Sequence, residues 1–180
     1  MNFCSNCASP VEFKTPPGDH LPRFVCGSCG MIHYKNPLLV LGCVPEWQGR
    51  ILLCKRAIEP RLGFWTVPAG FMENAETLQA AAARECYEEA LARVTIGSLL
   101  ALVSVTGASQ VHVMFRATLD RPEFAPGPES LEVRLYDEGE IPWDRLAFPS
   151  GEFTLRKYFE DRAAGRENHH FAELSSRLKS

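Results

Sequence analysis

The chain has 180 residues and a formal net charge of −3, with 46% hydrophobic and 23% charged residues. That length allows one core domain plus a small appendage, and that composition is ordinary for a soluble globular protein. No basic block offers a nucleic-acid or membrane surface, no apolar run approaches a membrane span, and MNFCSNC lacks the features of a signal peptide; a cytoplasmic protein with neither kind of partner is expected.

Residues 1–35 contain Cys4-x2-Cys7, eighteen further residues, and Cys26-x2-Cys29. A single Cys-x2-Cys would be compatible with redox chemistry, but two at this distance read as a four-cysteine structural zinc site. The intervening segment is rich in Pro and Gly and too short to bury a core, so metal would supply its folding free energy. His33 reads as a surface residue, because four thiolates already close a tetrahedral shell. Lys14, Arg23 and Lys35 are too few, and too close to Glu12 and Asp19, for a phosphate-binding face. A structural or oligomerising role follows for this ribbon, which leaves a homodimer open.

Tyr34-Lys35-Asn36-Pro37 marks the boundary to a second domain over 37–162, followed by a polar tail over 163–180 expected to be mobile. Leu38–Val44 and Arg50–Lys55 form a hairpin about a turn at Glu46 to Gly49. Val94–Val105 holds one or two strands. Gln110–Leu119 alternates, with Val111, Val113 and Phe115 on one face and His112 and Met114 on the other. Leu131–Tyr136 alternates again, and Ser150 is placed to cap a last helix carrying Leu155, Tyr158, Phe159 and Arg162. Cys43, Cys54 and Cys86 lie in apolar stretches and read as buried small hydrophobes; His169 and His170 read as a solvated pair.

The chain is organised around Pro68 to Ala92. Through Asn74 it reads as a loop, and from Ala75 as a helix of strong formers. Glu85, Glu88 and Glu89 fall within an arc of about 100° on one helix face, with Ala83, Cys86 and Ala90 on the face that meets a sheet. Three such carboxylates repel one another unless a cation lies among them, and hard oxygen ligands suit Mg²⁺ or Mn²⁺.

Gly70, five residues, Glu76, seven residues, then Arg84-Glu85-Cys86-x-Glu88-Glu89 resembles the Nudix box, and Trp65 to Phe71 resembles its lead-in. Leu91 and Ala75 stand where that box has glycines; a residue other than Gly in a left-handed turn costs about 1 kcal/mol or more. The resemblance implies a Nudix α/β/α sandwich behind the zinc ribbon and hydrolysis of a nucleoside diphosphate linked to another group. It implies that Glu85, Glu88 and Glu89, with the Ala69 carbonyl, hold the metal, that Glu85 is a candidate base, and that Arg84, paired to Glu76, orients Glu85. A further carboxylate is expected from the segment Glu129 to Tyr136, with Glu132 first and Glu129 second. Beyond the box, the ribbon, YKNP and FAPGPESLEVRLYDEGEIPWDRLAFPS are similar to bacterial relatives of plant plastid FAD pyrophosphatases, which implies cleavage of FAD to FMN and AMP. Ribbon-bearing NADH pyrophosphatases are the alternative, with ADP-ribose as a further substrate; a non-enzymatic nucleotide-binding regulator is a third reading. Phe64, Trp65, Phe71 and Phe124 are candidates to stack on a flat ring, or to pack in the core.

Overall fold

Each cysteine pair of the N-terminal segment sits on a tight turn. Ala8 N–H donates to the Cys4 carbonyl at 2.9 Å and Gly30 N–H to that of Cys26 at 3.0 Å. Ala8 and Gly30 both take positive φ, 59° and 75°, so the two turns share one geometry. They flank a three-stranded antiparallel sheet, β1 (Val11–Lys14), β2 (Arg23–Cys26) and β3 (Ile32–His33), in that order. The four Sγ atoms lie within 4.8 Å of one another, with Cys4–Cys29 at 3.7 Å and Cys7–Cys26 at 3.5 Å. Thiolates at about 2.3 Å from a tetrahedral zinc are about 3.8 Å apart, so the cluster fits structural zinc. His33 departs from the surface position expected of it: it is half-buried, with Nε2 3.3 Å from Cys4 Sγ, where an N–H would steady the thiolate. Lys14 pairs with Glu12 at 2.5 Å and Arg23 with Asp19 at 2.9 Å.

The structure, a computed structural model, describes residues 1–175, and the ribbon (residues 1–36) and the segment from Pro37 onward are separate compact units. In the second unit β4 (Leu38–Trp47) and β5 (Arg50–Arg56) form the expected hairpin, turning on Gln48 and Gly49, both at positive φ. Short β6 (Trp65–Thr66) and β7 (Ala69–Phe71) lead into α1 (Leu78–Ala90). Then follow β8 (Val94–Val105), β9 (Gln110–Leu119), β10 (Ser130–Tyr136), α2 (Pro149–Ala163) and β11 (His170–Leu174). The eight strands make one mixed sheet, order β10-β5-β4-β9-β8-β11, with β6 on β5 and β7 on β4. β4 runs parallel to β9, and β8 parallel to β11.

Both sheet faces are covered, which makes the α/β/α sandwich. On one, Leu41, Cys43, Val113 and Phe115 pack on Ala81, Ala82, Cys86 and Ala90 of α1. Small residues on that helix face allow a close approach to the sheet. On the other, Val44, Val103 and Met114 pack on Leu155, Tyr158 and Phe159 of α2. Burying both faces puts apolar residues on either side of β9, with Gln110, His112 and Arg116 as polar exceptions on the face toward α2. Cys43, Cys54 and Cys86 are all buried.

Three expectations need correction. Ser150 is not the cap of α2: Phe148 holds that position and Pro149 opens the helix, its fixed φ suited to the first turn. Ser150 is buried inside, its carbonyl accepting from the Thr154 hydroxyl at 2.7 Å. The tail over 163–180 is not all loose chain, because Ala163 completes α2 and residues 170–174 add the edge strand β11. Nor are His169 and His170 both solvated: His169 is exposed, but His170 is half-buried. His169 Nδ1 lies 2.7 Å from the Leu99 carbonyl and His170 Nε2 lies 3.0 Å from Asp161 Oδ2. Asp161, 1% exposed, also pairs with Arg116 and accepts from Asn168 N–H at 3.0 Å. Burial opposes ionisation of Asp161, but His170, Asn168 and Arg116 together hold it below the usual carboxylate range. Residues 176–180 of the expected tail lie outside the described residues.

Candidate active site

The helix that carries the carboxylates begins three residues later than its composition suggests. Ala75 takes φ 67°, a left-handed conformation that no helix continues through, and Thr77 then caps α1, its hydroxyl accepting from Ala80 N–H at 3.2 Å. At the other end Leu91 takes φ 48° and donates its N–H to the Tyr87 carbonyl at 2.8 Å. Both positions where the family box has glycine therefore keep the left-handed turn, with Ala and Leu in it. Leu91 is 44% exposed, so no core contact compensates. Ala82 rather than Ala83 is buried against the sheet; Ala83 is half-buried.

Arg84 organises the cluster. Its Nε and Nη2 bind the two oxygens of Glu76 at 3.1 and 2.9 Å, and Nη2 also donates to the Phe71 carbonyl at 3.0 Å. Nη1 donates to Glu85 Oε1 at 2.7 Å and Glu88 Oε2 at 2.9 Å. Glu76 also accepts from Glu73 N–H at 2.6 Å, which ties the preceding loop to the helix. Arg84 first, then that N–H, hold the Glu76 carboxyl below the usual carboxylate range. One guanidinium thus fixes the loop and two of the three cluster carboxylates.

Glu85 and Glu89 are buried, 8% and 6% exposed, whereas the Glu88 side chain is 55% exposed at the rim. The Glu85 carboxylate lies flat on Gly70: a Cβ there would sit 2.5 Å from its carboxylate carbon. Burial raises Glu85 above the usual carboxylate range, Arg84 opposes this, and Glu88 and Glu129 add to it. Glu89 is pushed up to about 8, first by burial and then by Glu85; Arg56 and a hydrogen bond from Ala69 N–H pull it back. Glu89 Oε2 is buried with no hydrogen-bond partner. An orphaned buried oxygen among repelling carboxylates fits a hard divalent cation such as Mg²⁺ or Mn²⁺.

The two outer carboxylate candidates lie in different places. Glu129 lines the same cavity as Glu85, Glu88 and Glu89 and repels two of them. Glu132 does not: it lies within β10 opposite Lys55 and pairs with that ammonium at 3.6 Å, half exposed. The loop that delivers Glu129 is pinned to the end of α1, with Ala125 N–H on the Ala90 carbonyl at 2.9 Å and Gly127 N–H on that of Glu89 at 3.0 Å.

The cavity measures about 940 Å³ and runs from this cluster across Ala69, Gly70, Phe71 and Val40 to His112, Gln110 and the start of α2. Of the four candidate aromatics only Phe71 lines it, 52% exposed. Trp65 is buried edge-on to Tyr136 at 5.1 Å, Phe64 lies between Arg61 and Arg145, and Phe124 packs in the core under α1. Arg56, which no motif singled out, reaches the cavity from the end of β5; its Nε donates to the Pro60 carbonyl at 2.9 Å and its guanidinium lies 5.0 Å over the Phe148 ring. A cation ending the strand that precedes the box loop was the available signal.

Comparison with known proteins agrees with this architecture. A Nudix N-terminal zinc-ribbon model matches residues 2–35, and a NUDIX domain model matches residues 37–159. A crystal structure of a NUDIX hydrolase from Nitrosomonas europaea is 50% identical, with a TM-score of 0.95 over 98% of this chain and 100% of that one. The NAD-capped RNA hydrolase NudC of Salmonella paratyphi C (strain RKS4594) is 30% identical over 165 residues, 90% of this chain and 60% of the relative. The NudC of Chromobacterium violaceum is 36% identical over 89 residues, 48% of this chain and 31% of the relative. This chain thus spans no more than three-fifths of either NudC. The ADP-ribose pyrophosphatase of Methanocaldococcus jannaschii is 29% identical over 119 residues, 64% of this chain and 69% of that protein. No helix among the described residues is long and apolar enough to cross a membrane. With a NUDIX model over well more than half of its length, a ribbon model over the remainder of its ordered N-terminus and the box carboxylates gathered around Arg84, this chain belongs to the Nudix family.

Proposed function

We propose that the chain is a metal-dependent hydrolase that cleaves the diphosphate of a dinucleotide of the NAD or ADP-ribose type. The observation that carries the reading is the buried Glu85–Glu89 pair, one oxygen of it unpartnered, at the wall of a cavity large enough for a dinucleotide. The names of the relatives above favour NAD and ADP-ribose; FAD rests on sequence resemblance alone and belongs in the same panel.

Glu85, Glu88, Glu89 and Glu129 would hold Mg²⁺ or Mn²⁺, with the Ala69 carbonyl an additional donor on the same wall. The bound cation supplies charge neutralisation on the diphosphate and lowers the pKa of water. Glu85 accepts the proton of the attacking water. Arg84 holds Oε1 of that carboxylate, and the Gly70 backbone beneath fixes its plane. Arg56 contributes positive charge for substrate phosphate. Phe71 offers an exposed ring for stacking. Zinc held by Cys4, Cys7, Cys26 and Cys29 would have no open position for chemistry and would act in folding.

The test is a panel of NAD⁺, NADH, ADP-ribose and FAD with Mg²⁺, with products separated by chromatography. AMP with the matching mononucleotide or ribose phosphate is expected. No release from any of the four, in protein that is folded and zinc-loaded, would overturn the assignment.

A further inference from the structure

Strand register lays out the sheet face beneath the cavity, of which Phe71, Val40, His112, Gln110, Val105 and Leu174 form the floor. Phe71 of β7 is paired with Val40 of β4, Val40 with His112 of β9, His112 with Val103 of β8, and Val103 with Ala172 of β11. The next row toward the rim is Gln110, Val105 and Leu174. Paired residues share a face, so these side chains stand side by side on the face that also carries Met114. The floor is apolar except for His112 and Gln110, and both line the cavity that holds the carboxylates.

Those two are hydrogen-bonded to each other, His112 Nε2 to Gln110 Oε1 at 3.0 Å. Burial pulls the imidazole below its ordinary range, which favours the neutral ring. A neutral ring that gives Nε2–H to the Gln110 oxygen keeps a bare Nδ1, an acceptor. The Gln110 amide keeps its NH₂, a donor. Neither of these two atoms has a further hydrogen-bond partner among the described residues. A pair that only satisfied itself would be a costly way to fill an apolar floor; a pair that turns one donor and one acceptor toward a ligand is built to read an edge.

We propose that His112 and Gln110 are specificity-determining residues that recognise the amide-like edge of a flat heterocycle, with one accepted and one donated hydrogen bond, while the ring lies over Val40 beside Phe71. Two parts of a dinucleotide present that edge, the 6-amino/N7 side of adenine and a carboxamide on a pyridine ring. The inference rests on the dinucleotide reading above.

The experiment compares NAD⁺ with two analogues, one with hypoxanthine in place of adenine and one with a carboxylate in place of the carboxamide. The parent, His112→Leu, Gln110→Leu and His112→Gln are each assayed for kcat and KM, and for equilibrium binding of the same ligands with Ca²⁺ replacing Mg²⁺. The parent should reject one analogue by about tenfold, the worth of one hydrogen bond to these half-buried groups. That preference should appear in KM and Kd, vanish in both leucine variants, and return in part in His112→Gln, which restores an acceptor. Discrimination against the hypoxanthine analogue assigns the pair to adenine; discrimination against the carboxylate analogue assigns it to the carboxamide. An equal preference in parent and leucine variants, or none in the parent, overturns the proposal. Binding with preserved discrimination but no turnover would defeat the hydrolase reading and leave the pair's role standing. Should a leucine variant not fold, the Kd ratios of parent and His112→Gln decide.

Discussion

Replacing Gly70 by alanine should disable the site while leaving the fold intact. The added methyl would sit 2.5 Å from the Glu85 carboxylate carbon and 2.6 Å from Oε1. Ordinary contact begins at about 3.4 Å, so the carboxylate must retreat by about 1 Å and leave its place on Arg84 Nη1. A displacement of that size in a catalytic group typically costs on the order of 10² in kcat. Gly70 does not occupy the left-handed region, so alanine carries no backbone strain there. The alanine reduces the freedom of the unfolded chain, worth roughly 0.4–1 kcal/mol, which offsets the cost of moving one side chain. Steady-state kinetics at saturating Mg²⁺ and thermal melts would be measured beside Gly139→Ala, whose methyl meets nothing within 4 Å. A kcat for Gly70→Ala within twofold of the parent, with an unchanged melt, would refute the idea that Gly70 fixes the Glu85 carboxylate.

Cys4→Ser or Cys26→Ser should lower zinc content and melting temperature together, checked by elemental analysis and calorimetry; the parent should carry one zinc per chain. Leu91→Gly should leave the stability unchanged or raise it by no more than about 1 kcal/mol, read as an unchanged or higher melting temperature, because the residue is exposed in a left-handed turn. A clear fall would show that the Leu91 side chain contributes packing. In metal-free protein Glu89 has a folded-state pKa of about 8 against an ordinary 4.5. A raised carboxylate stabilises below the lower value and loses that contribution as pH rises to the upper one. Metal-free stability should therefore fall between pH 4.5 and 8, with a ceiling of about 5 kcal/mol. Mg²⁺ should restore it, and Glu89→Gln should flatten the profile; denaturant melts at several pH values with and without Mg²⁺ check all three.

Much of this was readable from residues that act locally. Gln48-Gly49 dictates a hairpin turn, β9 occupies the span its alternation marks, and the four cysteines meet as their spacing requires. The box spacing alone brought Arg84, Glu76, Glu85, Glu88 and Glu89 together. What the sequence hid depends on partners far along the chain. Residues 170–174 look polar and loose, yet Asp161 and Arg116, contributed by α2 and β9, draw that segment onto β8. Glu129 and Glu132 are indistinguishable by composition; only the start of β10 at Ser130 and its register on β5 decide that the first faces the cavity and the second faces Lys55. Ala75 looks like helix, but the loop needs a left-handed residue there, so the helix waits for Thr77. His112 was visible as the polar member of an alternating strand; that its face meets a cavity follows only from the sheet order.

Arg84 and Ala69 hold Glu85 and Glu89 at the cavity wall, where the two carboxylates are the proposed ligands of the divalent cation. The most direct measurement is AMP release from ADP-ribose and NAD⁺ against Mg²⁺ concentration, for the parent, Glu85→Gln and Glu89→Gln, with melts to establish folding. Glu89→Gln should shift the Mg²⁺ dependence to higher concentration, Glu85→Gln should lose about 10² to 10⁴ in kcat even at saturating metal, and both should melt no lower than the metal-free parent. Near-parental turnover and an unchanged Mg²⁺ midpoint in both variants would show that neither carboxylate binds the metal.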